Sequence, residues 1–446
     1  MPNASNPALE AAYEAIELDA FSKDIPNLVP HNTTLYGIFK NHSVTVPISN
    51  ITAAGGVTRP SFRIPLRAQA GAATFQATGN ADSMGRGSGS TYAGFALSPV
   101  FFVNVCEISY LSRAATNGQK RGLFNVQAQE LQNTFAQAQQ GLEALLQGDG
   151  SGTLDSIPTT ATINNNTGTG PTTSSIVGLN NAFQFTDQQT VQVWSALGGT
   201  NRGTFTVSYV DPVTNTIYSG GALPTGTTNG DLLIVSGAPG TAGGSILGLR
   251  AWQVNSNTGT IGGLNRANYP GRLSTPTINL NNGVVNQGIG YRAIALLGRA
   301  LGPQNEAIKK AIFYCGPDQA MQIANIYFNV QIADQGHVNG ETSPDMVKKF
   351  WNATFCGRQL EVGWNALPGR IDLFTPSTWY TGEMIPLELY DFGGGITIAP
   401  VPDITSTAGN TSYLFSNMFA YDCALNIGNS NPRAGVYVQN AGIPAI

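Results

Sequence analysis

A chain of 446 residues can build two or three compact domains around a large buried core. Its net charge of −4 argues against a protein that grips nucleic acid over a broad basic face and leaves room only for weak or local contact. Charged residues make up only 11% of it, against about 25% in ordinary globular domains; such scarcity is easier to understand if much of the surface becomes interface, because interface cores are depleted in ions.

The first segment, Pro7 to Ala20, reads as a short helix with Leu9, Tyr13, Ile16 and Ala20 on one side and Glu10, Glu14, Glu17 and Asp19 on the others. The start of the chain carries no basic stretch followed by an apolar core, so no secretory signal is read and folding in a cytoplasm is the expectation. Pro-punctuated sequence then runs extended to Pro30.

Strand signals follow in VTVPIS, SFRIPLRAQ and ATFQATG, with Pro47, Pro60 and Pro65 confining them to edge or bulged positions. A glycine-rich stretch from Asn80 to Ser90 forms the tip, and Tyr92 to Tyr110 returns as strands ending in VFFVNVCEISYL. A long two-stranded excursion of this kind cannot bury both faces by itself and needs something to lie on. Between Thr58 and Ser90 the charges are Arg59, Arg63, Arg67 and Arg86 against Asp82, a net of +3. Between Ala8 and Asp24 they are Glu10, Glu14, Glu17, Asp19 and Asp24 against Lys23, a net of −4. The candidate assembly residues are therefore Arg59, Arg63, Arg67 and Arg86, meeting Glu10, Glu14 and Glu17 of an adjacent copy, with solvated arginines as the alternative.

The longest helical signal runs from Gly122 to Gln147, where Leu123, Val126, Leu131, Phe135, Ala138, Leu142 and Leu145 form one apolar stripe. Gly148-Asp149-Gly150-Ser151-Gly152 stops it. Glutamines fill its polar face, with Glu130 and Glu143 as its charges, and neutral amides are cheaper to desolvate than ions, so that face can meet another protein surface. Gly141 inside the helix marks a bend or a close backbone approach.

A polar, low-complexity stretch from Ser156 to Ser175 then implies a boundary. After it, TVQVW, GTFTVSYV, TIYSG and DLLIVSG read as a small barrel or sandwich ending near Arg272. Gln287 to Leu301 reads as helix, Ala311 to Cys315 as a buried strand, and Pro317 opens a further helix. The pairs ATFCGRQLEVG and RIDLFTP complete a compact α+β domain, and the closing SYLFSNMFAYDCALNI and AGVYVQ are β segments expected to return to the domain of the long helix.

The search for chemistry yields no catalytic, cofactor-binding or metal-ligating constellation. Cys106, Cys315, Cys356 and Cys423 form no CxxC pair, and His31, His42 and His337 have no ligand spacing. No G-x-S-x-G elbow, H-E-x-x-H or P-loop occurs, and the glycines from Gly85 to Gly89 open no helix. Asp149, Ser151, Thr153 and Asp155 alternate like the start of a calcium loop but lack its terminal carboxylate, so a helix-stop turn is the better reading. Glu361, Glu383, Glu388 and Asp391 offer no reason to select an acid–base pair. The longest apolar run, Phe95 to Cys106, is too short to span a membrane.

The order of parts, together with SFRIPLRAQAG, LEALLQGDGSGTL, RQLEVGWNALPGRIDLFTPSTW, GTFTVSYVDPVTNTIYSGG and GDLLIVSGA, resembles the major capsid proteins of tailed double-stranded DNA bacteriophages, which have the Hong Kong 97 fold. The resemblance implies an α+β chain with residues 1–36 as an N-terminal arm, 37–113 as an extended loop and 114–155 as a peripheral domain with its spine helix. Residues 156–272 would be a β-rich insertion, 273–404 an axial domain and 405–446 a return to the peripheral domain. It implies a non-enzymatic subunit without cofactors that forms hexamers and pentamers of an icosahedral shell in the host bacterial cytoplasm. Its partners would be copies of itself, separate scaffolding, portal and cement proteins, and, weakly, packaged DNA, with no membrane. The loop's one lysine, Lys40, lies at its base, so covalent cross-linking through a loop lysine is not expected. The alternatives are another phage structural protein, a secreted β-rich adhesin or, third, a glycan hydrolase.

Overall fold

The computed structural model describes residues 34–52, 58–69, 89–109, 126–166, 173–241, 243–269, 271–302, 305–334, 354–393, 396–402 and 413–442. The acidic N-terminal segment and the glycine-rich tip lie outside them. The described chain is mixed α+β and divides into two compact units, one drawing on Phe101–Leu142 and Met384–Leu425, the other on Thr33–Val100, Glu143–Glu383 and Asn426–Ile446.

In the first unit the long helix runs as the apolar stripe predicts, its described part being Val126–Gln147 with residues up to Leu142 in this unit. Leu131, Phe135 and Ala138 pack against Phe102, Cys106 and Ile108 of the strand Val100–Ser109 and against Phe419 and Tyr421 of the strand Tyr413–Asn429. The strand's alternation produces this: Phe102, Asn104, Cys106 and Ile108 face one way, and Asn104 Nδ2 donates to the Thr134 carbonyl at 3.1 Å. Gly141 is explained by the same approach, because a Cβ there would stand 3.1 Å from the Phe102 ring. The strands Val100–Ser109 and Ala399–Pro402 both pair with Tyr413–Asn429.

Among the described residues the second unit holds three larger sheets and a two-stranded ribbon, Thr260–Ile261 with Leu264–Asn265. The first, three-stranded, is formed by Ser49–Thr52, Thr58–Gln69 and Thr91–Leu97. The second has seven antiparallel strands between Thr153 and Val235, and its long strand Asn201–Asp211 serves two halves. Residues 201–206 pair with Thr190–Trp194 and residues 207–211 with Thr216–Ser219, with a register break at Val207/Tyr209. This bend lets Val191, Val193, Phe205, Val207, Ile217 and Leu233 share one core. The third sheet has six strands, with Ile312–Cys315, fully buried, between Ile371–Phe374 and Arg358–Val362. Helix Gln287–Leu301 packs on this sheet; Asn286 caps it by accepting from the Ile289 N–H, and Gly302 at φ 94° ends it. Helix Pro317–Asp334 opens with proline in its first turn, as read from sequence.

Three expectations are corrected here. The excursion is three-stranded at its base rather than two-stranded, and that base lies on its own unit: Phe62, Ile64, Leu66, Phe95 and Leu97 are buried. The last strand, Gly435–Gln439, does not return to the long helix; it pairs between Thr277–Asn279 and Ile371–Phe374 in the six-stranded sheet. Its run of four buried residues, Gly435 to Val438, is what an interior strand requires. Within the long helix's glutamine face, Gln140 and Gln147 are buried, 4% and 2% exposed, and so are not offered to a neighbour.

Candidate assembly surfaces

In the first unit, the strand Val100–Ser109 turns one face to the helix and leaves the other open. Phe101, Val103 and Val105 are 59%, 51% and 59% exposed, an unusual stripe for a strand that pairs within a sheet. Met384 and Tyr390, also exposed, continue the apolar character in the same unit. Beside them Glu388 and Asp422 form an acidic pair: desolvation, then the Glu388 charge, pushes the Asp422 carboxyl above its ordinary value. Cys106, on the strand's inner face, is pushed up to about 11 by burial and is no nucleophile at neutral pH.

In the second unit, the hairpin sorts its two faces equally sharply. Phe62, Ile64 and Leu66 point inward, paired in register with Leu97, Phe95 and Ala93. Phe95 meets Trp252 edge-on with ring centroids 4.9 Å apart. Three glycines make room: a Cβ at Gly382 would strike the Phe62 ring, one at Gly428 would strike Ile64 and Leu97, and one at Gly262 would crowd Phe95. Arg63 and Tyr92 are exposed on the outward face, Tyr92 at 72%. The backbone of Arg67 lies opposite Tyr92 and that of Arg59 opposite Ile51. Arg86, Glu10, Glu14 and Glu17 lie outside the described residues.

Glu143, read from sequence as one of the two charges on a polar face able to meet another protein surface, is fully buried in the second unit. Its carboxylate accepts from the backbone N–H groups of Leu35 at 2.6 Å and Tyr36 at 3.0 Å. It thereby supplies, from another segment, the cap that the helix Thr34–His42 needs at its N-terminus. The sequence signal was available: in GLEALLQ the glutamate is set among Leu142, Ala144, Leu145 and Leu146.

The turn after the long helix is a helix stop. Asp149 Oδ1 accepts from Ser151 N at 3.0 Å, and Gly150 and Gly152 take φ of 88° and 79°. The Asp155 carboxylate is engaged by the N–H groups of Ser156, Asn180 and Asn181 and by the Asn180 amide. A cavity of about 610 Å³ beside it is also lined by Arg250, whose guanidinium is pushed below its ordinary value by desolvation. Among the described residues no three His, Cys, Asp or Glu side chains cluster as metal ligands. No helix among them is long and apolar enough to cross a membrane.

No protein-family model matches this chain, and no curated protein matches it. Solved structures do. A chain of the cyanophage A-1(L) capsid asymmetric unit aligns over 94% of this chain and 96% of its own length, at 11% identity and a TM-score of 0.53. The capsid of a native GTA particle covers 99% of this chain and 100% of its own at 10% identity, with a TM-score of 0.47. The capsid of Myoviridae phage XM1 covers 96% and 98% at 9% identity, with a TM-score of 0.44. The cyanophage likeness, end to end on both chains, establishes the fold: this α+β chain is built like a phage capsid subunit of the Hong Kong 97 type.

Proposed function

We propose that this chain is the major capsid protein of a tailed double-stranded DNA bacteriophage. Copies of it would form hexamers and pentamers that tile an icosahedral shell around packaged DNA. The observation that carries this reading is the near-complete coverage of both chains in the alignment with the cyanophage capsid subunit. The open Phe101–Val103–Val105 stripe supports it, since a strand face so apolar gains from being covered. The role is structural and not enzymatic. Head-to-tail contacts around a ring are heterologous and close by rotation. A subunit held at several places leaves only when all contacts fail together, so each contact can be moderate.

In this reading residues 1–36 are an arm, 37–113 an extended loop, 114–155 and the strand segment of 405–446 that precedes Gly435 peripheral, 156–272 an insertion, and 273–404 together with the last strand Gly435–Gln439 axial. Arg59, Arg63, Arg67 and Arg86 of one copy meet acids of its neighbour, Glu10, Glu14 and Glu17 among them, which sets register more than affinity. Scaffolding, portal and cement proteins complete the particle, which assembles in the host cytoplasm and touches its DNA weakly. Electron microscopy of the chain expressed with and without a scaffolding protein tests this. Closed shells or rings are expected, and far fewer from the doubly reversed variant with Arg63→Glu and Arg67→Glu; a monodisperse monomer under both conditions would overturn the reading.

A further inference from the structure

Glu143 is 0% exposed, and among the described residues it forms no ion pair with a lysine, arginine or histidine. What holds it is the first turn of the helix Thr34–His42, through the N–H groups of Leu35 and Tyr36. The groups that face this contact are few. Tyr314, from the strand Ile312–Cys315, is fully buried and kept protonated by desolvation and then by the Glu143 charge itself. The Tyr36 hydroxyl donates to Glu383 at 3.4 Å, and Lys40 lies over the Tyr36 ring at 5.5 Å. His42 stands at the helix's far end, where its charge acts with that of Glu361. None of these replaces the solvent that Glu143 has lost.

We propose that Glu143 makes the anchoring of the helix Thr34–His42 proton-dependent: the packed state takes up a proton that the loosened state gives away, so the helix is held most firmly in acid and is progressively freed toward neutral pH. The physical cause is the imbalance between two backbone donors and a complete loss of hydration. Burial pushes the Glu143 carboxyl from 4.5 up to about 7, more than the N–H groups of Leu35 and Tyr36 pull it back. The folded value is the higher one, so the stabilisation is complete below about pH 4.5 and is lost as pH rises through about 7. The device belongs to the fold and holds whatever the chain assembles into. It acts where the chain passes into Val44–Thr45, which pairs in parallel with Tyr380 and Thr381, and on into the hairpin.

Hydrogen exchange of the peptide spanning Thr34–His42, followed by mass spectrometry from pH 5 to 8 and corrected for the intrinsic rate, tests it. In the wild-type chain protection is expected to fall roughly 50- to 100-fold across that range. The fall should vanish in Glu143→Gln and persist in Glu383→Gln and His42→Asn. A flat wild-type profile, a fall that survives in Glu143→Gln, or one abolished by Glu383→Gln or His42→Asn would overturn the proposal. Should Glu143→Gln fail to fold, the wild-type profile and the other two variants still decide.

Discussion

Two β segments close together in sequence, the hairpin strands Thr58–Gln69 and Thr91–Leu97 and the strand Val100–Ser109, solve the same problem in opposite ways. Both alternate, and both carry large apolar side chains. In the hairpin the large apolar side chains of the inner face are sealed: Phe62, Ile64 and Phe95 are 0% exposed, seated against glycines that leave space for them. The strand Val100–Ser109 is apolar on both faces, and its own unit covers one of them. Alternation therefore tells which side chains share a face, but not whether the same chain will cover that face. The receiving surface decides, and for the hairpin that surface is written as absent side chains at Gly262, Gly382 and Gly428.

The comparison can be broken most forcefully on the sealed side. Phe95→Ala removes a ring that Trp252 meets edge-on, and should cost about 3–5 kcal/mol by urea unfolding of the second unit. A cost near zero would mean that the hairpin base is not part of that core. Gly428→Ala attacks the same seat from below and should cost about 1–3 kcal/mol, because its Cβ would fall against Ile64 and Leu97. Adding Ile64→Val to Gly428→Ala should return part of that loss, since the two residues share the space and their effects are not additive. Strict additivity would show that the collision is relieved elsewhere.

Much of this was legible in the residues. The apolar stripe from Leu131 to Leu145 marks the long helix, and the proline at 317 and glycine at 302 mark helix limits that the structure keeps. What stayed hidden was long-range. No local pattern places Gly435–Gln439 beside Ile371–Phe374, or sets Glu143 against the first turn of a helix more than a hundred residues earlier. Charge drew attention to Arg63 and Arg67, while the more informative signal was VFFVNV, a strand apolar on both sides and so in need of cover on both. Arg63 is exposed on the hairpin's outward face, but its proposed acidic counterparts lie outside the described residues.

The open strand provides the smallest effect on the subunit and the sharpest contrast with the sealed one. Replacing Val103 and Val105 together by Thr keeps β-branched shape and strand preference while adding hydroxyls that water can satisfy. Both side chains are about half exposed, so the subunit should lose no more than about 0.5 kcal/mol in urea unfolding. If the open face is where another copy sits, the same pair should sharply lower the yield of closed particles, because each hydroxyl must then be desolvated without a partner in every subunit of the shell. Equal yields from the double variant and the wild type would mean that this face stays in water, and the contrast with the hairpin would then be one of exposure without consequence.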